Sequence, residues 1–353
     1  MRSAKMINYF TMILKSSQKS LSFIIETLNN NTPVVIPTET VYGLAARIDQ
    51  PEALKKIFSL KKRPFFDPLI VHIYDTKQVQ LLSHFESPIL TQLTTSFWPG
   101  PLTLVLPKSN SVNPIITSGL DSVGIRMPNH PIALKVLEAV KVPLAAPSAN
   151  LFGHTSPTKA THVEKDFNLD SLLILNGGDC SVGIESTVLK ISKNESNSKI
   201  ELSILRKGFI TKSKILEALS SLKDEYTFAS TIDKKSSPGH MKHHYMPSTP
   251  LIFLEKKYDI QQLLKQIESD FLKIPERIEE IEIKKPLLPI KKWGILKFSE
   301  NPELACRQLY SELQKMSEKN FDILIFNKEP YMNSEPWEGF LERLSKAASL
   351  TYN

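Results

Sequence analysis

Apolar residues recur along this chain at two spacings. Leu21, Ile24, Ile25 and Leu28 repeat at helical intervals, and Asn29 to Asn31 stop them. Val34-Val35-Ile36 then reads as a short buried strand ending at Pro37. The next segment is polar (Thr38, Glu39, Thr40 and Tyr42 before Gly43), which is more chemistry than a turn requires. Pro51 opens a second helix with Leu54, Ile57 and Phe58 on one face, and Pro64 ends it. Further strands are predicted at 68–73, 102–106, 122–127, 142–147, 172–175 and 186–191, with helical stretches to about Phe97 and a helix near 131–140. Many strands with fewer helices predict an α/β domain on a mixed sheet.

After a helix near 211–221 the texture changes. Residues 222–250 are polar and contain Pro238, Gly239, Pro247 and Pro250, the composition of a linker. Beyond it, "LIFL", "WGILKF" and "FDILIF" alternate with helical stretches near 257–272, 302–318 and 336–349, predicting a small Rossmann-like α/β domain without a glycine-rich phosphate loop. The expected division is an N-terminal extension over 1–18, a catalytic domain over 19–221, a linker over 222–249 and the small domain over 250–353. The apolar run from Met6 to Leu14 is too short to span a bilayer, so a frayed extension is expected there and no membrane association.

Composition narrows the class. The 353 residues are 41% hydrophobic and 23% charged, as in globular proteins. Cys180 and Cys306 are far apart in the chain, which removes a cysteine-based zinc site or a disulfide framework and suits a reducing cytoplasm. The formal charge of +7 suits a phosphate-bearing ligand, nucleotide or RNA. Walker-type, dinucleotide-binding, nucleophile-elbow and H-E-x-x-H motifs are all missing from the sequence.

The polar clusters lie at the ends of apolar strands, where ligands of α/β sheets bind. They are "PTET", "KKRPFFDPLIVHI", "AAPSANLFGHTSPTKA" and "NGGDCSVGIESTVL", with Arg126 and Arg206 ending two strand-like runs. Ser156 or Thr158 would serve as a helix cap, and the three glycines would let backbone N–H groups approach an anion. Arginines, hydroxyls and a lysine suit a polyanion with a small polar partner, and catalysis by positioning rather than by paired acids. His240, His243 and His244 have helical spacing, but Gly239 and Pro247 crowd a helix and no fourth ligand accompanies them.

In this order, "PTETVYGLAA", "LKKRPFFDPLIVHI", "FWPGPLTLVL", "GIRMPNHPIALKVLE", "PLAAPSANLFGHTSPTKATHV", "GGDCSVGIESTV" and "ILRKG" resemble the motifs of the YrdC-like family. The resemblance spans about residues 20–210, and the linker and small domain look like the family's long two-domain form. It implies a twisted mixed sheet around a positively lined cavity. The implied reaction joins L-threonine, bicarbonate or CO2 and ATP, with magnesium, into threonylcarbamoyl-AMP and pyrophosphate. The product would feed a downstream transferase that modifies tRNA. By the same resemblance Thr38, His72, Arg126, Ala146 (through its backbone) and Ser186 would contact threonine. Arg63, Asp67, Ser122, Ser148, Ser156 and Arg206 would line the nucleotide side. Lys61, Arg63, Ser148 and Asn150 would be catalytic, Lys61 and Arg63 facing the phosphates. The linker would fold back over the site, although Lys242 replaces a tyrosine frequent in the family. A tRNA- or double-stranded-RNA-binding protein without catalysis is the alternative.

Overall fold

The structure, a computed structural model, describes residues 12–167, 172–193, 199–229, 241, 243–278 and 281–353. His240 and Lys242 lie outside the described residues, as do residues 1–11 of the expected extension.

Eleven strands build the first sheet: β1 (Met12–Lys15), β2 (Val34–Ile36), β3 (Gly43–Arg47), β4 (Ile70–His72), β5 (Leu102–Pro107), β6 (Ser122–Arg126), β7 (Leu144–Ala145), β8 (Leu173–Asn176), β9 (Thr187–Lys193), β10 (Ile200–Arg206) and β11 (Tyr226–Phe228). Their order is β1-β8-β2-β3-β7-β4-β6-β5-β9-β10-β11, with parallel and antiparallel neighbours mixed as expected. β2 and β3 are an antiparallel pair, Ile36 opposite Gly43, so the polar segment is the loop that joins them. The helices Gln18–Asn29 and Pro131–Val140 cover one face through Ile24, Leu28, Val136 and Leu137. The helix Pro51–Lys61 covers the other through Leu54, Ile57 and Phe58. Burial on both faces explains why β2 and β5 read as unbroken apolar runs.

Some elements depart from the pattern-based reading. Residues 12–15, read as part of a frayed extension, form the edge strand β1 parallel to β8. β3 was not predicted, because Gly43, Ala45 and Ala46 are weak strand formers. The expected strand at 142–147 is confined to Leu144–Ala145, since Pro143 and Pro147 flank it and donate no N–H to a ladder. The second helix ends at Lys61 rather than at Pro64. Lys62 adopts a left-handed backbone (φ 50°) and turns Arg63 toward the sheet.

The second domain holds a parallel sheet of β12 (Leu251–Leu254), β15 (Trp293–Ile295), β16 (Ile323–Asn327) and β17 (Leu350–Tyr352), in the order β15-β16-β12-β17. A small antiparallel pair, β13 (Arg277–Ile278) with β14 (Ile281–Glu282), packs against Phe152 and Met246. The helix Ile260–Lys273 covers one face, and the helices Pro302–Ser317 and Glu338–Ala347 cover the other. The core on that second face also takes in Val41, Val182 and Ile184 of the first domain, so the two domains share apolar packing.

Gly183 sits at this junction with φ +83°, and a Cβ there would fall 2.4 Å from the Arg307 Cα. Gly183→Ala should therefore destabilise the protein by about 1–3 kcal/mol. The denaturant midpoint measures this, and an unchanged midpoint would contradict the close backbone approach.

Candidate active site

A cavity of about 60 Å³ opens between the loop joining β2 to β3, the ends of β4 and β6, the segment 146–148, residues 185–186 and Arg206. Arg63, Arg126 and Arg206 line it, as do the hydroxyl-bearing residues Thr38, Thr40, Ser148 and Ser186. His244 and Tyr245 of the linker close its remaining side.

Arg126 sits at the end of β6, where strand pairing places it beside His72 of β4. Its Nε donates to the Gly100 carbonyl at 3.1 Å and its Nη1 to the Thr40 hydroxyl at 2.8 Å, while Nη2 lies 2.6 Å from a Glu39 carboxylate oxygen. All three side chains are buried. Thr40 and Glu39, which a polar turn alone would explain, thus hold the arginine. The Thr38 hydroxyl is engaged locally, donating to the Val41 carbonyl at 2.6 Å and accepting from the Val41 N–H at 3.2 Å. It lines the cavity while stabilising its own loop. Tyr42 ties that loop to a distant one, donating to the Gly178 carbonyl at 2.7 Å and accepting from the Gly177 N–H at 3.1 Å. His72 is neutral, because burial and the neighbouring Arg126 push its pKa down to about 3.

The residues of the second cluster hold one another. Lys61 Nζ donates to the Ser148 and Asn150 carbonyls, both at 2.6 Å, and so braces the loop that carries those residues. Burial and the nearby Arg63 pull its pKa well below the ordinary 10.5. The Ser148 hydroxyl donates to Asn150 Oδ1 at 2.5 Å, and Asn150 Nδ2 donates to the Leu151 and His154 carbonyls. Arg63 donates to the Asp67 and Pro68 carbonyls and pairs with the Asp67 carboxylate at 2.9 Å. Of this group Arg63 and Ser148 line the cavity; Lys61, Asp67 and Asn150 stand behind it.

On the opposite wall Arg206 donates through Nε to the Ser186 carbonyl and through Nη2 to the Ser186 hydroxyl, both at 3.1 Å. Thr103 shares that hydroxyl at 2.7 Å. Ser156 is not a helix cap: Lys159 occupies the cap position of Ala160–Asp166, and the Ser156 hydroxyl donates to Glu185 at 2.5 Å. Ala146 lines the cavity, its N–H donated to the Ile70 carbonyl. Ser122 lies away from it, against a separate small void beside Thr103 and Gly124.

The linker closes the site through backbone bonds to both domains, His244 N–H to the Lys346 carbonyl at 2.9 Å and Met246 N–H to the Gly153 carbonyl at 2.7 Å. The His244 and Tyr245 rings meet edge-on at 4.1 Å, and Tyr245 adopts φ 65°. Burial, with Glu185 nearby, pushes the Tyr245 phenol up to about 12. Glu39, Thr40, Glu185, His244 and Tyr245 are site residues that motif reading left unassigned, and the signal for them was present: the excess of polarity in "TET", the "IES" run and "HHY". Tyr310 and Arg343, which reach Glu185 from the second domain, carry no such mark.

Comparison with known proteins identifies the family. A family model described as "Telomere recombination" matches residues 26–208, and one described as "Threonylcarbamoyl-AMP synthase, C-terminal domain" matches 210–349. The chain is 35% identical to the threonylcarbamoyl-AMP synthase of Pyrococcus abyssi, over 83% of this chain and 84% of that one. It is 39% identical to the enzyme of that name from Bacillus subtilis, over 72% and 73%. The crystal structure of P. abyssi Sua5 complexed with L-threonine superposes with a TM-score of 0.80 at 30% identity, covering 97% of this chain and all of that one.

The low pKa of His72 gives a stability prediction. In the folded state its pKa is about 3, against 6.5 when unconstrained, so on acidification the unfolded chain takes up the proton first. The stability from keeping His72 neutral is fully present above pH 6.5 and is lost as pH falls toward about 3. His72→Gln should flatten this acid loss in urea unfolding followed across that window. An equally steep loss in the variant would show that other groups cause it.

Proposed function

The chain belongs to the threonylcarbamoyl-AMP synthase family, and from that premise we propose the full reaction that its cavity performs. L-Threonine and bicarbonate give the N-carboxylated amino acid with release of water. The carbamate oxygen then attacks the α-phosphorus of ATP, the bond to the β-phosphate oxygen breaks, and pyrophosphate leaves. The class is nucleotidyl transfer. The observation that carries this reading is the convergence of three buried guanidinium groups with serine and threonine hydroxyls on one cavity.

Arg126 is the seat of the threonine carboxylate. Glu39, Thr40 and Gly100 occupy three of its donor directions, and a guanidinium carries five N–H groups, so two are left for a carboxylate. Ser186 supplies a hydroxyl contact there, while Thr38 shapes the same side with a hydroxyl that holds its own loop. Arg63, Arg206 and Ser148 face the nucleotide phosphates, and Lys61 and Asn150 act by fixing the Ser148 loop. Magnesium would arrive on the ATP phosphates: Glu39, Asp67 and Glu185 are each paired with an arginine, and no group of three or more metal-ligating side chains occurs among the described residues. The product is a mixed anhydride, and closure by His244 and Tyr245 keeps water from it until a tRNA-modifying transferase accepts the threonylcarbamoyl group.

Pyrophosphate release from ATP, with threonine and bicarbonate omitted in turn, tests the reading: both omissions should abolish it. Release indifferent to threonine would sink it. Arg126→Lys keeps the charge but not the fork, and should raise the KM for threonine about tenfold or more with a smaller change for ATP. Equal changes for both substrates would remove Arg126 from the threonine side.

A further inference from the structure

Glu185 is a buried carboxylate that joins two walls of the cavity, and two of its side-chain partners, Tyr310 and Arg343, come from the second domain. Its backbone precedes Ser186, on the threonine side, and its Oε1 accepts from Ser156 of the opposite loop at 2.5 Å. Tyr310 Oη lies 3.1 and 3.0 Å from the two carboxylate oxygens, and Arg343 Nε donates to Oε2 at 2.8 Å. Arg343 is fully buried, and its Nη1 also donates to the Lys207 carbonyl at 2.6 Å, next to Arg206. Its guanidinium stands 5.5 Å from the centre of the Tyr245 ring. One side chain of the helix Glu338–Ala347 therefore meets Glu185 just before β9, the Lys207 carbonyl just after β10 and the ring of the linker residue that closes the cavity.

The surrounding contacts hold this helix in place. Gly339 packs on Gly208 so closely that a Cβ would lie 3.0 Å from the Gly208 carbonyl oxygen. The Lys207 N–H donates to Glu342 at 3.1 Å, and the neighbouring helix Pro302–Ser317, which carries Tyr310, is tied to the first domain where Thr158 meets Ser311 at 3.2 Å.

We infer that Arg343 and Tyr310 are positioning residues of the synthase site, fixing through Glu185 the wall that carries threonine relative to the wall that carries the nucleotide. The second domain is thus a structural part of the active site. Neither residue touches a substrate. Their loss leaves the contacts to each substrate in place and disturbs the relative orientation of carbamate and α-phosphorus, so kcat falls and the KM values do not.

The inference rests on the synthase reading, and its test separates the two. Threonine-dependent pyrophosphate release is measured on the full chain at a temperature where circular dichroism shows each variant folded. Tyr310→Phe removes one hydroxyl, and should lower kcat about tenfold with the KM for threonine and for ATP each within about twofold. Arg343→Lys should regain part of the kcat lost in Arg343→Met. Glu185→Gln combined with Arg343→Met should recover thermal stability relative to Arg343→Met alone, without recovering kcat. If Arg343→Met does not fold, Tyr310→Phe decides. A wild-type kcat in Tyr310→Phe, or a loss confined to melting temperature, overturns the inference while wild-type turnover keeps the synthase reading. A wild type that releases no threonine-dependent pyrophosphate overturns both.

Discussion

Three guanidinium groups buried around one small cavity are the constraint on which the rest of this structure depends. Arg63, Arg126 and Arg206 are each at most 7% exposed. Left unpaired, buried charges would outweigh the stability of most domains, so each must meet acceptors whose geometry suits it. Those acceptors come from the loop after β2, the turn after the Pro51–Lys61 helix, the start of β5 and the start of β9. The order of strands in the mixed sheet brings these distant segments to one place. The site is therefore also a packing solution, and its donors are oriented before any substrate arrives.

The same reasoning explains why the second domain is welded on rather than tethered. A parallel sheet must be covered on both faces. The helices Pro302–Ser317 and Glu338–Ala347 cover one face of β12, β15, β16 and β17, and their outer sides meet Val41, Val182 and Ile184. A polar network passes through this apolar junction only where every member is satisfied. Glu185 is the centre of that network: burial opposes its ionisation, but the charges of Arg343 and Arg206 together with hydrogen bonds from Arg343 and Ser156 outweigh it and hold the pKa at about 2. A network satisfied in this way is specific as well as stable, because a shifted register would leave the carboxylate without a partner.

Much of this was legible in the sequence, and the limits have a physical pattern. Apolar runs marked the buried strands, and polar clusters at their ends marked the rim of the cavity. Which polar residues would bind one another could not be read, because the partners are remote in the chain. Thr38 was expected to face threonine, yet its hydroxyl first closes its own loop. Glu39 and Thr40, each explicable as turn residues, grip an arginine at position 126. Lys61 was expected to face phosphates, and its ammonium instead braces the 148–150 loop. Tyr42, with no evident role in its motif, fastens residues 177 and 178. Tyr310 and Arg343 sit on amphipathic helices, where an aromatic and a basic residue are ordinary, so only the folded arrangement reveals them.

The pairing of charges around the cavity gives the second domain a further electrostatic consequence. Glu39 is matched by Arg126, Asp67 by Arg63 and Glu185 by Arg343. Arg206 has no ion pair among the described residues; it is held by the Ser186 hydroxyl and carbonyl. Its charge is the surplus that an anionic ligand meets. Glu185 is the carboxylate nearest in the chain to Ser186, which Arg206 grips, and Arg206 already contributes to its low pKa. Arg343 therefore compensates Glu185 from the second domain, and Arg206 is held by Ser186 without an acid of its own. The carboxylate that joins two walls of the cavity is thus neutralised by a domain that lends the cavity no lining residue, so the alignment of those walls is a property of the whole fold.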